Sequence, residues 1–281
     1  MIEVNNLTLT YPSGKGVFDL NFKVKEGEVM GYLGPNGAGK TTTIRALMGF
    51  MAASSGLATI NELDCYTKAP DIKRILGYIP GEIAFPDGID GADYLKFLCK
   101  MRGTTDLTPM KRLIDRFELD MRGKVKKYSK GMKQKLGIVI AFMHNPDVLI
   151  LDEPTSGLDP LMQSNFIDLV NEEKKKGKTI LMSSHMFEEV ERTCDNVLII
   201  KNGRIIKQSD VLTLKSERVK TYIVRTKDGE EIYNIRGEEL SEFIKKLGTM
   251  DVLSLDVKTQ GLEEIFMSFY GKETHKGGEI I

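Results

Sequence analysis

The chain has 281 residues, 41% of them apolar and 28% charged, which suits one large domain with a small appendage. Lys plus Arg equals Asp plus Glu at 40 each, so no global field favours nucleic acid or an anionic membrane, and no nucleic-acid partner is expected. Three scattered cysteines, Cys65, Cys99 and Cys194, lack metal-ligand spacing and predict reduced thiols in a cytosolic compartment.

The opening MIEVNNLTLTYP shows neither the basic nor the apolar region of a signal peptide. Val4, Leu7 and Leu9 predict one strand, Val17 to Val24 a second and Glu28 to Leu33 a third, with Pro12-Ser13-Gly14 and Glu26-Gly27 as turns. The third strand runs into a glycine-rich loop and then a predicted helix from Thr41 to Met51. A helix is expected from Asp90, a plausible N-cap, to about Gly103, and another from Pro109 to Phe117. Arg122 to Lys135 carries seven basic residues and no acid, as a solvated face would. Lys133 to His144 predicts a helix closed by Asn145-Pro146, and its longest apolar run, Leu136 to Met143, is far short of the roughly 20 residues a spanning helix needs. Val148 to Leu151 reads as a buried parallel strand, Met162, Phe166, Leu169 and Val170 as a crossover helix, and Thr179 to Met182 as the next strand.

The character changes after about Ser216. Thr221 to Arg225, Glu231 to Ile235 and Val252 to Val257 predict strands, the first two joined across Asp228-Gly229. Leu240, Phe243, Ile244 and Leu247 mark one helix face, and Leu262, Ile265, Phe266 and Phe269 another.

Residues 34–41 read GPNGAGKT, a full match to the phosphate-binding loop pattern, set between a strand and a helix as the mechanism requires. Gly34, Gly37 and Gly39 let successive N–H groups turn toward phosphate oxygens, and the helix beginning near Lys40 adds its positive end. Lys40 would neutralise the β and γ phosphates and the Thr41 hydroxyl would bind Mg²⁺. Pro35, Asn36, Ala38 and Thr42 complete the predicted nucleotide-binding stretch. About 110 residues on, VLILDE at 148–153 ends an apolar strand in two acids; a buried acid is costly without a cation or a network. Asp152 would hold the metal and Glu153 would take a proton from the attacking water.

The sequence resembles the ABC-family ATPase subunits, because it also carries YSKGMKQ at 128–134, LDEPTSGLDP at 151–160 and a lone His185 after a strand, in the family's order. Within the family it is similar to the drug, bacteriocin and ion exporter ATPases, in GMKQ and in the tail LEEIFMSFYG. The resemblance implies a head-to-tail homo- or heterodimer with ATP between the subunits and a separate membrane-spanning permease as partner. Tyr11 would stack on adenine, Ser129 and Gly131 would touch the γ-phosphate held by the opposite subunit, Asp159 would tie the subunits together, and His185 would contact the γ-phosphate in its own subunit. Two departures stand out. The signature here has Lys130 and Met132 beside the retained Ser129 and Gly131. After Gly77-Tyr78-Ile79-Pro80, where the family has glutamine, this chain has Gly81 and then Glu82, a candidate replacement ligand for Mg²⁺.

The expected fold is α/β: a P-loop core with an antiparallel β subdomain and a helical insert at roughly 83–145, forming residues 1–216, then a small α+β domain at 217–281. The expected function is an ATP-hydrolysing exporter subunit, peripheral on the cytoplasmic face of the membrane; the alternative is a soluble ABC ATPase acting on ribosomes or nucleic acid. Two such domains in one chain, or a long coiled coil, would mark that alternative, and neither is present.

Overall fold

The computed structural model describes residues 1–216, 220–235 and 237–259. The chain divides into two compact units, Met1–Gln208 and Ser209–Ile281. The boundary expected at 216/217 lies within the second, and the helix expected around Leu262 to Phe269 lies outside the described residues.

The first unit is built on two sheets. Strands β1 (Ile2–Thr10), β2 (Gly16–Val24), β4 (Ser55–Ile60) and β5 (Leu63–Asp64) form an antiparallel sheet in the order β2-β1-β4-β5. The larger sheet runs β10-β9-β3-β8-β7-β6, with β3 (Val29–Leu33), β6 (Leu76–Ile79), β7 (Val148–Asp152), β8 (Thr179–Ser184) and β9 (Asn196–Lys201) in parallel register. At its edge β10 (Arg204–Asp210) follows β9 across Asn202-Gly203, both at positive φ (49° and 75°), as a two-residue turn between strands demands. Every residue of β3, β7 and β8 is buried, which explains why these sequences run apolar instead of alternating. Each such Leu or Ile contributes about 1.5–3 kcal/mol by leaving water.

Helix α1 (Lys40–Leu47) follows β3 and stops short of the expected Met51, because Gly49 turns the chain at φ 65°. Helix α2 (Ala69–Ile75) leads into β6. The insert holds α3 (Gly91–Arg102), α4 (Thr108–Arg116) and α5 (Lys130–Phe142). Asp90 stands at the N-cap of α3, but its carboxylate makes no cap and pairs instead with Lys124 at 3.4 Å. Helix α5 starts three residues before the expected Lys133, because Ser129 Oγ accepts the Met132 N–H at 3.2 Å. Helix α6 (Pro160–Lys175) crosses from β7 to β8, and α7 (Phe187–Thr193) from β8 to β9. Helix α7 lies close over β3: a Cβ at Gly31 would stand 2.9 Å from Val190 Cγ1 and 3.1 Å from Cys194 Sγ.

In the second unit α8 (Val211–Ser216) precedes an antiparallel sheet, β12-β11-β13, formed by β11 (Lys220–Thr226), β12 (Gly229–Ile235) and β13 (Val252–Thr259). Helix α9 (Leu240–Leu247) sets Phe243 against Tyr222 and Tyr233, with ring centroids 4.7 and 5.1 Å away, over Val224.

Candidate functional site

The loop from Gly34 to Gly39 leaves the end of β3 and feeds α1. Gly37 and Gly39 have φ of 80° and 117°, which side chains rarely adopt. Space is short as well: a Cβ on Gly39 would lie 2.7 Å from Val17 Cγ1, and one on Gly34 2.7 Å from the Ile200 carbonyl. Lys40 is buried, with Nζ donating to the Gly34 carbonyl at 2.6 Å and lying 3.7 Å from Glu153 Oε1.

The tip of β7, one strand removed from β3, brings the two acids to this loop. Asp152 is 1% exposed, and its carboxylate accepts from Thr41 Oγ1 at 3.0 Å and from Ser183 Oγ. A buried charge is tolerated when hydrogen bonds offset its lost hydration, and this one has two. Glu153 has φ 50°, strained for a residue with a side chain; its N–H is held by the carbonyl and the hydroxyl of Ser183, both at 3.1 Å. That turn aims the carboxylate at Lys40 on one side and at His185 Nδ1 on the other. Lys40, Thr41, Asp152, Glu153 and His185 therefore form one cluster.

The remaining predicted residues make contacts of their own. Tyr11, just past β1, turns its hydroxyl to α1, where it accepts from Arg45 at 3.4 Å and meets Thr42. Ser129 caps α5, and Asp159 caps α6 by accepting the Met162 N–H at 3.0 Å. Gly131 lies so near the turn after β7 that a Cβ there would come within 2.8 Å of the Gly157 carbonyl. The hydrogen bonds of Ser129 and Asp159 stay within their own segments. Gly81 backs onto Asp152, since a Cβ there would stand 3.1 Å from Oδ2, whereas Glu82 is exposed.

Ser183, Ser184, Gln134 and Glu189 escaped the sequence reading. Gln134 is buried and donates to the Pro154 carbonyl at 2.6 Å, fastening α5 to the turn after β7. The two serines ending the apolar run TILMSS were a signal, because polar groups at a buried strand end need partners.

No group of three or more His, Cys, Asp or Glu among the described residues forms a metal cage. A hydroxyl and one carboxylate, Thr41 and Asp152, nevertheless fit Mg²⁺, which keeps waters and phosphate oxygens in its shell and takes few protein ligands.

A glycine loop between a buried strand and a helix, with acids at the tip of a nearby parallel strand, defines a P-loop nucleotide-binding protein. The ABC transporter family pattern matches residues 17–156. An uncharacterized ABC transporter ATP-binding protein of Methanocaldococcus jannaschii is 34% identical over 95% of this chain and 98% of its own length. The bacitracin transport ATP-binding protein of Bacillus licheniformis is 31% identical over 98% of both. A solved ATP-binding subunit of an ABC transporter superposes with a TM-score of 0.74 at 27% identity, covering 96% of this chain and 99% of that one. The chain belongs to the ATP-binding proteins of ABC transporters, and its fold is that of their ATPase cassettes.

Proposed function

We propose that this chain hydrolyses ATP as the motor of an exporter, in a head-to-tail dimer bound to a separate membrane-spanning permease on the cytoplasmic face of the membrane. The observation that carries the reading is the convergence of Lys40, Glu153 and His185 beside a phosphate-shaped loop. Loop N–H groups and Lys40 hold the β and γ phosphates. Glu153 takes a proton from the attacking water, its carboxylate steered by His185, which also reaches the γ-phosphate. Thr41 and Asp152 would hold Mg²⁺, which when bound supplies neutralising charge on the phosphate oxygens. The exposed Glu82 carboxylate, one residue beyond the Gly81–Asp152 contact, is a further candidate ligand for it. Tyr11 stacks on the adenine, while Ser129, Gly131 and Asp159 serve the nucleotide of the opposite subunit. The export direction is supported by relatives named for bacitracin transport and linearmycin resistance.

Lys40→Ala tests the reading, since it leaves backbone donors alone to hold the phosphates. ATP hydrolysis should vanish and affinity should fall; hydrolysis at the wild-type rate would remove the basis of the proposal.

A further inference from the structure

A carboxyl that the mechanism above does not use lies beneath the site. Glu189, on α7, is 2% exposed. Its Oε2 accepts from Ser184 Oγ at 2.6 Å, and the same Ser184 hydroxyl accepts the Met186 N–H at 2.9 Å. Thr155, in the turn after Glu153, turns its hydroxyl to the same segment, 3.7 Å from Met186 Sδ. The Glu189 carbonyl accepts from Thr193 Oγ1 at 2.7 Å, and the helix is pressed onto β3 at Gly31, so the side chain has a fixed base. Glu189 thus holds the segment after β8 that carries His185, and that segment in turn meets the turn after β7 that carries Glu153.

We propose that Glu189 is a positioning residue for ATP hydrolysis, which in its uncharged acid form clamps the Ser184–Met186 segment to the Thr155 turn and so sets the Glu153–His185 pair. This rests on the role given above to that pair.

The geometry favours the acid form. Oε1 is buried and meets no hydrogen-bond partner among the described residues. A bare carboxylate oxygen in that position is far costlier than a protonated one. Burial pushes the acid up to about 7, despite the hydrogen bond from Ser184. The charged groups near it are Glu153, which raises it further, and His185, which lowers it; Lys174 and Asp195 lie about the adjoining Cys194. Ionisation would add a second anion beside Glu153 and disturb its pairing with His185, so turnover should fall as pH rises through about 7.

The test is the kcat and KM for ATP across pH for the wild type, Glu189→Gln, Glu189→Ala and Ser184→Ala, with the permease partner present. The amide of Glu189→Gln has the shape and hydrogen-bonding ability of the acid without its proton. It should keep kcat at mildly acid pH and lose the alkaline limb near 7. Glu189→Ala and Ser184→Ala should lower kcat about tenfold with KM nearly unchanged. A Glu189→Gln profile superimposable on wild type, or a wild-type kcat in Ser184→Ala, would overturn the proposal, and neither depends on the alanine variant at 189 folding. A wild-type protein without ATPase activity would instead overturn the functional reading beneath it.

Discussion

Burial fixes the protonation of His144, at the end of α5, with consequences for stability. Its ring lies against the Leu76 carbonyl, with Nε2 3.2 Å from the oxygen, and burial, aided by Arg102, lowers its pKa from 6.5 to about 4. The folded chain therefore resists a proton that the unfolded chain accepts. Stability from this group is complete above 6.5 and is lost as pH falls toward 4. Melting temperature against pH should drop across that window in the wild type and less steeply in His144→Gln; parallel curves would contradict it. At this scale the sequence showed Lys40, Thr41, Asp152 and Glu153, because local spacing alone places them on a strand–loop–helix and at a strand tip. Glu189 was hidden, and so were the partners of Ser183, because they come from segments that meet only in the fold.

Among the elements, α5 is tied to the loop after β7 by close backbone contact. Its first turn sits on the loop after β7, joined by Gln134 to the Pro154 carbonyl and by the near contact of Gly131 with Gly157. Gly131→Ala would place a methyl 2.8 Å from a carbonyl oxygen, so helix and loop must part. ATP affinity of the chain should stay within about twofold while kcat falls tenfold or more, since small misplacements are expensive in positioned reactions. Calorimetric binding together with turnover separates the two, and an unchanged kcat would refute the contact's importance. Long apolar or periodic segments such as β7, β8 and α6 were legible. The short β4, β5, α2 and β6 were passed over, as was α7, because none is long enough for its period to show and their pairing is set by register with distant strands.

For the molecule as a whole, no helix among the described residues is long and apolar enough to cross a membrane. The proposed coupling to a permease is assigned to a docking surface at Ile83 to Asp93. There Phe85 is half-buried with its ring edge-on to Tyr94 at 5.7 Å. Phe85→Ala should reduce membrane recovery with the co-expressed permease, or coupled transport, and spare nucleotide binding; equal recovery and transport would reject this site. The change of character after Ser216 was visible in the sequence as new strand spacing. What the second unit does was not, since no chemistry-bearing motif falls in it. The central claim, that Glu153 is the base of an ATPase, is tested most directly by phosphate release from Mg-ATP by Glu153→Gln beside the wild type, each with its permease. ATP binding should be retained with turnover lowered about 10²–10⁴-fold, the usual contribution of a general base; turnover at the wild-type rate would refute that role for Glu153.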